Sequence, residues 1–257
     1  MRILLVNDDG IAAAGIRVLA EMLRGSHELL IVAPDSERSG FSHSVTIFRD
    51  MRYTKNEAEI DSYAVSGTPA DCVKFAVLHL FKDKLPDLVL SGINSGPNLG
   101  SDIMYSGTVA AASEAVFFGI PAIAVSLGGF LGIREHYNER TYYTAAAEFI
   151  GRNLDELYAA AKAHAGEMLL NINYPLTTPF RGARFTKAGL NWYDDYYDES
   201  AEPGTVQLKG KPLAHVSDET DCDVYQIRNG YASVTPVRLD RNHYEALELL
   251  KAKVKLT

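Results

Sequence analysis

Three polar stretches carry the side chains best suited to chemistry: Asn7-Asp8-Asp9-Gly10, the loop PDSERSGFSHS from Pro34 to Ser44, and the run SGINSGPNLGSDIMYSGT from Ser91 to Thr108. They offer two adjacent carboxylates (Asp8 and Asp9), a hydroxyl (Ser39) and an amide (Asn94). These are hard oxygen donors without thiol or imidazole, a set that suits Mg²⁺ or Mn²⁺ rather than zinc. The third run ends in Ser106-Gly107-Thr108 and opens the small-residue stretch VAAASEAVFFG. A hydroxyl-rich helix start, with free N–H groups and the positive end of the helix dipole, is an anion site. Each stretch also has a plainer reading. Asn7 or Asp9 would cap the next helix, the Ser39 loop would be a solvated connection, and Ser106 would be an ordinary cap.

If the acidic pair and the anion site are both real, they belong together. A carboxylate ~5 Å from one phosphate charge, at an effective dielectric of ~20, is repelled by roughly 3 kcal/mol. Two carboxylates oppose a phosphate by about twice that, whereas a helix N-terminus returns at most about 2 kcal/mol. An anion settles there only when a divalent cation neutralises the aspartates. The residues therefore point to metal-dependent phosphate chemistry.

The elements that must position these groups are legible in the apolar pattern. Arg2 to Val6 is an unalternating apolar run, as expected of a parallel strand buried on both faces. Adjacent side chains of a strand point to opposite faces, so Asp8 and Asp9 serve one ligand only if the strand ends at them. A helix with apolar spacing from Ala13 to Leu23 and a second strand from His27 to Ala33 complete a βαβ unit. The turn holds NDDG in place of GxGxxG, which counts against a dinucleotide site. Val45 to Tyr53 and Glu59 to Val65 are expected as edge strands. A helix is expected from Thr68, with Pro69 at its first position, to Leu80. Further strands at Asp87 to Ser91, Pro121 to Ser126 and Met168 to Ile172 alternate with helices after Ser106 and from Thr141 to Ala163. In such a doubly wound sheet the three polar loops emerge at one edge.

The βα rhythm stops near Phe180. An aromatic-acidic stretch around Trp192 to Asp198 leads into VQLKGKPLAHV, expected as a hairpin turning at Lys209-Gly210. Such a segment serves as a subunit-contact arm or covers a sheet edge, and the sequence leaves both open. A strand at Gly230 to Val237 and a helix from His243 to Lys253 close the chain. The expected division is a catalytic core over 1–178, a β-rich oligomerisation region over 179–240 and a terminal helix over 241–257.

The 257 residues are 47% hydrophobic and carry a formal charge of −8, with a pI near 5.4. An acidic chain without a basic run is a poor partner for a nucleic-acid polymer or an anionic membrane. Only two cysteines, Cys72 and Cys222, stand far apart, which favours a reducing compartment over a disulfide framework. With neither a leader-like start nor an apolar run long enough to span a bilayer, the expectation is a soluble cytoplasmic protein.

Taken in order, NDDG, APDSERSGFSHSVT, SGTPADCV, SGINSGPNLG with YSGTVAAASEA, and GYASVTP resemble the SurE family, the survival-protein-E nucleotidases. The resemblance runs over nearly the whole chain, with Gly40 in place of the commoner alanine and no counterpart for Phe130 to Arg140. It implies a three-layer, Rossmann-like α/β core and a swapped carboxyl-terminal arm in a homodimer or homotetramer. It also implies a phosphomonoesterase that acts on nucleoside 5′- and 3′-monophosphates with one divalent cation per subunit. By motif, Asp8, Asp9, Ser39 and Asn94 would hold the metal. Asn98, Ser106, Gly107 and Thr108 would surround the phosphate, with Asp8 and Asp9 carrying the chemistry.

Competing assignments fare less well. A phosphoryl-accepting receiver needs an aspartate after the third parallel strand, where Ser91-Gly92-Ile93-Asn94 stands. A haloacid-dehalogenase-type phosphatase needs D-x-D. A non-catalytic nucleotide-binding or signalling α/β domain is the alternative that remains.

Overall fold

The structure, a computed structural model, describes residues 1–56, 60–129, 140–177, 179–211 and 219–254. Strand β1 (Arg2–Val6) is followed by helix α1 (Ala14–Leu23) and β2 (Glu28–Pro34). Then come β3 (Tyr53–Asn56), β4 (Ser62–Val65) and α2 (Pro69–Phe75), which runs on as a π turn over Ala76–Leu80. β5 (Leu88–Asn94) and α3 (Gly107–Phe117) lead to β6 (Ala122–Gly128), and α4 (Arg140–Ala163) leads to β7 (Met168–Pro175). The last part holds β8 (Ala183–Phe185), β9 (Tyr196–Glu199), β10 (Val206–Lys209), α5 (Asp223–Arg228), β11 (Ala232–Arg238) and α6 (Tyr244–Lys253).

Nine strands form one sheet in the order β3-β4-β2-β1-β5-β6-β7-β11-β8. β1, β2, β4, β5, β6 and β7 are parallel, while β3 and β11 run antiparallel to β4 and β7. Alternate residues explain the unbroken apolar runs. Ile3 and Leu5 face α1 and α4, whereas Leu4 and Val6 face α2 and α3. The result is a three-layer α/β fold. α1 leaves β1 toward β2 on one side, and α3 leaves β5 toward β6 on the other. That reversal opens a crevice beyond the ends of β1 and β5, where ligands of open α/β sheets bind.

The structure alters several local expectations. Val45 to Asp50 is not a strand, because Thr46 donates both its N–H and its hydroxyl to the Asp71 carboxylate of α2, at 2.9 and 2.7 Å. The edge strand starts only at Tyr53. The hairpin of the arm pairs β9 with β10, Tyr196 opposite Lys209, so its turn lies at 200–205 around Pro203-Gly204. Lys209-Gly210 ends β10 and makes no turn of that hairpin; the expected return strand falls largely on residues 212–218, outside the described residues. The stretch 130–139, for which the sequence offers no counterpart, also lies outside them. β8 and β11 complete one edge of the main sheet. α5 was not anticipated; it is a six-residue turn of helix capped by the Cys222 sulfur.

Candidate active site

Asp8 is the buried centre of the crevice, only 3% exposed at the end of β1. Gly10, at φ +100°, makes the turn that stops the strand there, and Asn7 donates its amide to Gly10 O at 2.9 Å. Asn7 therefore closes the turn and caps no helix; α1 begins at Ala14, with Ala13 as its N-cap residue and no side-chain cap. Thr108 donates its hydroxyl to Asp8 Oδ1. A Cβ on Gly107 would lie 2.8 Å from Asp8 Cβ and 3.0 Å from Asp8 Oδ2. The first turn of α3 is thus pressed directly onto the carboxylate. Burial pushes the Asp8 pKa up to about 6, against the Thr108 hydrogen bond and with help from the neighbouring Asp9 charge. Asp9 accepts the N–H and hydroxyl of Ser95 at 3.0 and 2.8 Å. Its pKa is also raised, chiefly by burial, against those bonds.

The second and third loops come to the same place. Arg38 N–H donates to Asp8 O at 2.7 Å, which fastens the Ser39 loop to the end of β1. Ser39 sits exposed on the rim and donates its hydroxyl to Glu37 at 2.8 Å. Asn94 ends β5 and gives an amide N–H to Gly96 O at 2.8 Å, so a cation here would meet its side-chain oxygen. Asn98 is held by a buried polar group under the loop. Its N–H donates to Asn173 Oδ1 (2.8 Å), its amide to Ser126 Oγ (2.7 Å), and its carbonyl accepts from Asn171 and Asn173. Ser106 caps α3 by accepting from Val109 N–H at 3.0 Å.

Asp8, Ser39, Asn94, Asn98 and Ser106 line one cleft of about 880 Å³. Thr108 and Gly107 stand behind that lining, bonded to and packed on Asp8, whereas Asp9 is outside it, with its carboxylate turned to Ser95. Among the described residues, no three His, Cys, Asp or Glu side chains gather as a metal site. A cation here would take two charged and two neutral oxygens. The donors fit that role, because a buried and a half-buried carboxylate side by side, both resisting ionisation, are what a divalent cation would relieve.

The arm forms the outer wall. Asn191 bonds Leu99 O and Asp102 through its amide, both at 3.0 Å, and exchanges backbone bonds with Ser101 Oγ. Tyr193 donates to Asp102. The fully buried Asp223 accepts from Gly100 N–H and Gly189 N–H, both at 2.8 Å, which ties the active-site loop to the arm. Sequence reasoning missed these supports. One signal was present: Asn171 and Asn173 alternate inside the apolar strand MLLNINYP, a pattern that places two amides on one buried face.

A family model described as "Survival protein SurE" matches residues 3–195. The chain is 42% identical to the 5′-nucleotidase SurE of Pelotomaculum thermopropionicum, covering 99% of this chain and 96% of that one. It is 41% identical to the 5′-nucleotidase SurE of Carboxydothermus hydrogenoformans, covering 99% and 97%. The crystal structure of the SurE protein from Aquifex aeolicus superposes with a TM-score of 0.81 at 33% identity, over 98% of this chain and 99% of that one.

Proposed function

This chain belongs to the SurE family, and on that premise we propose that it hydrolyses nucleoside 5′-monophosphates, and 3′-monophosphates with them, to nucleoside and phosphate. The reading includes one divalent cation per subunit, Mg²⁺ or Mn²⁺, held by Asp8, Asp9, Ser39 and Asn94. The observation that carries it is the buried Asp8 carboxylate packed against the N-terminus of α3, in a cleft shared with Asn94, Asn98 and Ser106. When bound, the cation neutralises the aspartates, draws in the phosphate and makes water more acidic.

The chain's own groups do the rest. Thr108 fixes Asp8 in one orientation through Oδ1, and Ser95 fixes Asp9. The Gly107 N–H and the start of α3 face the charge that grows on the phosphate oxygens. Asn98 keeps one amide N–H for that phosphate while the other goes to Ser126. Asp8 accepts the proton of the attacking water. Attack by water rather than by Asp8 itself is the route proposed, because a carboxylate that also holds a cation is a weakened nucleophile while the cation makes bound water more acidic.

The test is exhaustive chelation followed by metal restoration, with adenosine 5′-monophosphate as substrate. Hydrolysis should stop on chelation and return with Mg²⁺ or Mn²⁺. Full activity in metal-free protein would sink the reading, and no turnover with any metal would leave a nucleotide-binding domain. Hydrolysis of a substrate with chiral phosphorus in the restored enzyme should invert configuration, as one displacement requires; retention would mean a phospho-aspartate.

We assign the oligomer contacts of a homodimer or homotetramer to the β9–β10 ribbon and α6, within the division at 178 and 240. All eight ribbon residues are exposed, and α6 buries none of its ten, with Leu247, Leu249 and Leu250 all open. Apolar faces left bare in this way mark contact surfaces. Because Tyr196 pairs with Lys209, a short glycine link from Asp195 to Gly210 removes the ribbon cleanly. That variant should show a lower mass by light scattering; an unchanged mass would make the ribbon a cover of its own subunit. No helix among the described residues is long and apolar enough to cross a membrane. Both cysteines are buried free thiols, which supports the cytoplasm as the working compartment.

A further inference from the structure

The cleft is much larger than a phosphate needs, and its buried and exposed linings differ in chemistry. The buried lining residues Asp8, Asn98 and Ser106 are polar, and the half-buried Asn94 joins them. The exposed lining includes Trp192, Tyr105, Leu190, Met104 and Leu208, with Asp195 among them. No lysine or arginine of the described residues lines the cleft, so it cannot favour a second phosphate. Trp192 is 61% exposed and Tyr105 68%, and neither ring stacks on another described aromatic. An indole held open to water beside a reaction centre is a stacking surface awaiting a flat group.

The backbone that carries the indole is anchored. The residues on either side of it, Asn191 and Tyr193, are bonded to Leu99, Ser101 and Asp102 of the same loop that carries Asn98. Asp223 then clamps Gly189 to Gly100. The segment that carries Trp192 is thereby tied to the loop that carries Asn98. A nucleoside monophosphate has one charged end and one flat, uncharged, aromatic end, and the cleft has a matching partner for each.

We propose that Trp192 is the residue on which the base of the substrate stacks, so that the arm, beyond any contact between subunits, supplies the specificity wall of the active site. This rests on the nucleotidase reading above. Bases of every kind present a π face, so Trp192 selects for the presence of a base rather than for one base over another.

Trp192 is the only tryptophan of the chain, which makes its fluorescence a direct reporter. In the full-length protein after chelation, adenosine should quench that emission saturably, whereas ribose 5-phosphate should leave it unchanged. Absence of quenching by adenosine overturns the proposal whether or not the enzyme turns over. In the metal-restored enzyme, Trp192→Ala should lower kcat/KM for adenosine 5′-monophosphate about tenfold or more, mostly through KM. The value for ribose 5-phosphate should stay within about twofold, and Trp192→Phe should restore most of the loss. Equal losses on both substrates would mean that Trp192 only supports the loop. A lowered mass by light scattering would mean that it is a subunit contact. Either result defeats the proposal. If the wild type hydrolyses neither ester, the nucleotidase reading fails and the quenching experiment still decides the base site.

Discussion

Asp8→Asn should retain its fold and lose about a thousandfold or more in kcat at saturating metal. The substitution keeps an oxygen to accept the Thr108 hydroxyl, so the local hydrogen bond survives. What it removes is the negative charge that would hold the cation and the base that would take a proton. Misplaced or missing proton transfer alone costs typically 10²–10⁴ in rate, and loss of a charged ligand adds to it. A kcat within tenfold of wild type would take Asp8 out of the reaction.

The same variant should be more stable than the wild type once metal is removed. Burial raises the folded-state pKa of Asp8 from its ordinary 3.8 to about 6. The folded chain thus prefers the protonated acid, and stability is fullest below the unfolded-state pKa. It falls as pH rises through the folded pKa, between about 4 and about 6. At neutral pH the shift corresponds to a cost of up to about 3 kcal/mol, at roughly 1.4 kcal/mol per unit. Asparagine carries no such cost. Thermal unfolding of chelated protein at neutral pH should therefore begin later in Asp8→Asn, and the difference should shrink toward pH 4. A less stable variant, or loss of cooperative unfolding, would make the carboxylate a structural element.

How much of this was legible beforehand follows from where each contact lies along the chain. Asp8, Asn94 and Ser106 stand at ends of elements whose apolar runs are unmistakable, and parallel connectivity brings such ends together. The role of Thr108 was harder to see. Its position in SGT suggests the phosphate, but its hydroxyl turns back to Asp8, one hundred residues earlier in the chain. The pairing of Ser95 with Asp9 and of Asp223 with Gly100 and Gly189 is likewise long-range, and no periodicity encodes it. Trp192 reads as arm composition alone; its place in the cleft lining depends on the long-range bonds of Asn191 and Tyr193, which no pattern encodes. Val45 to Asp50 misled for the opposite reason. Its β-branched pattern suits a strand, yet the Asp71 carboxylate of α2 claims its donors.

Gly107→Ala tests the closeness of helix and carboxylate without touching any charge. The backbone at Gly107 is ordinary helix, and Ala is the better helix former, so propensity alone would predict a small gain. Packing predicts the reverse. The new methyl would meet Asp8 Cβ at 2.8 Å, and Asp8 Oδ2 and Pro69 Cγ at 3.0 Å. None of these is the free end of a flexible chain. Asp8 Cβ is fixed to the end of β1, its carboxylate is held by Thr108, and Pro69 is a ring locked into the start of α2. Something must move by several tenths of an ångström, and overpacking of this kind costs about 1–3 kcal/mol. A shift of α3 away from Asp8 would relieve the clash, and it would draw the helix end proposed to bind the phosphate away from the carboxylates proposed to hold the cation. Displacements approaching an ångström cost on the order of a hundredfold in rate, and kcat should drop by about that amount while the far sheet edge at β3 and β4 stays native. Because the change is neutral, a loss of kcat with metal affinity kept within a few-fold would assign the effect to the phosphate side of the site. Near-wild-type kcat in a stable Gly107→Ala protein would show that the contact between α3 and Asp8 can loosen without consequence, and with it the proposed joint action of the helix end and the carboxylates would fall.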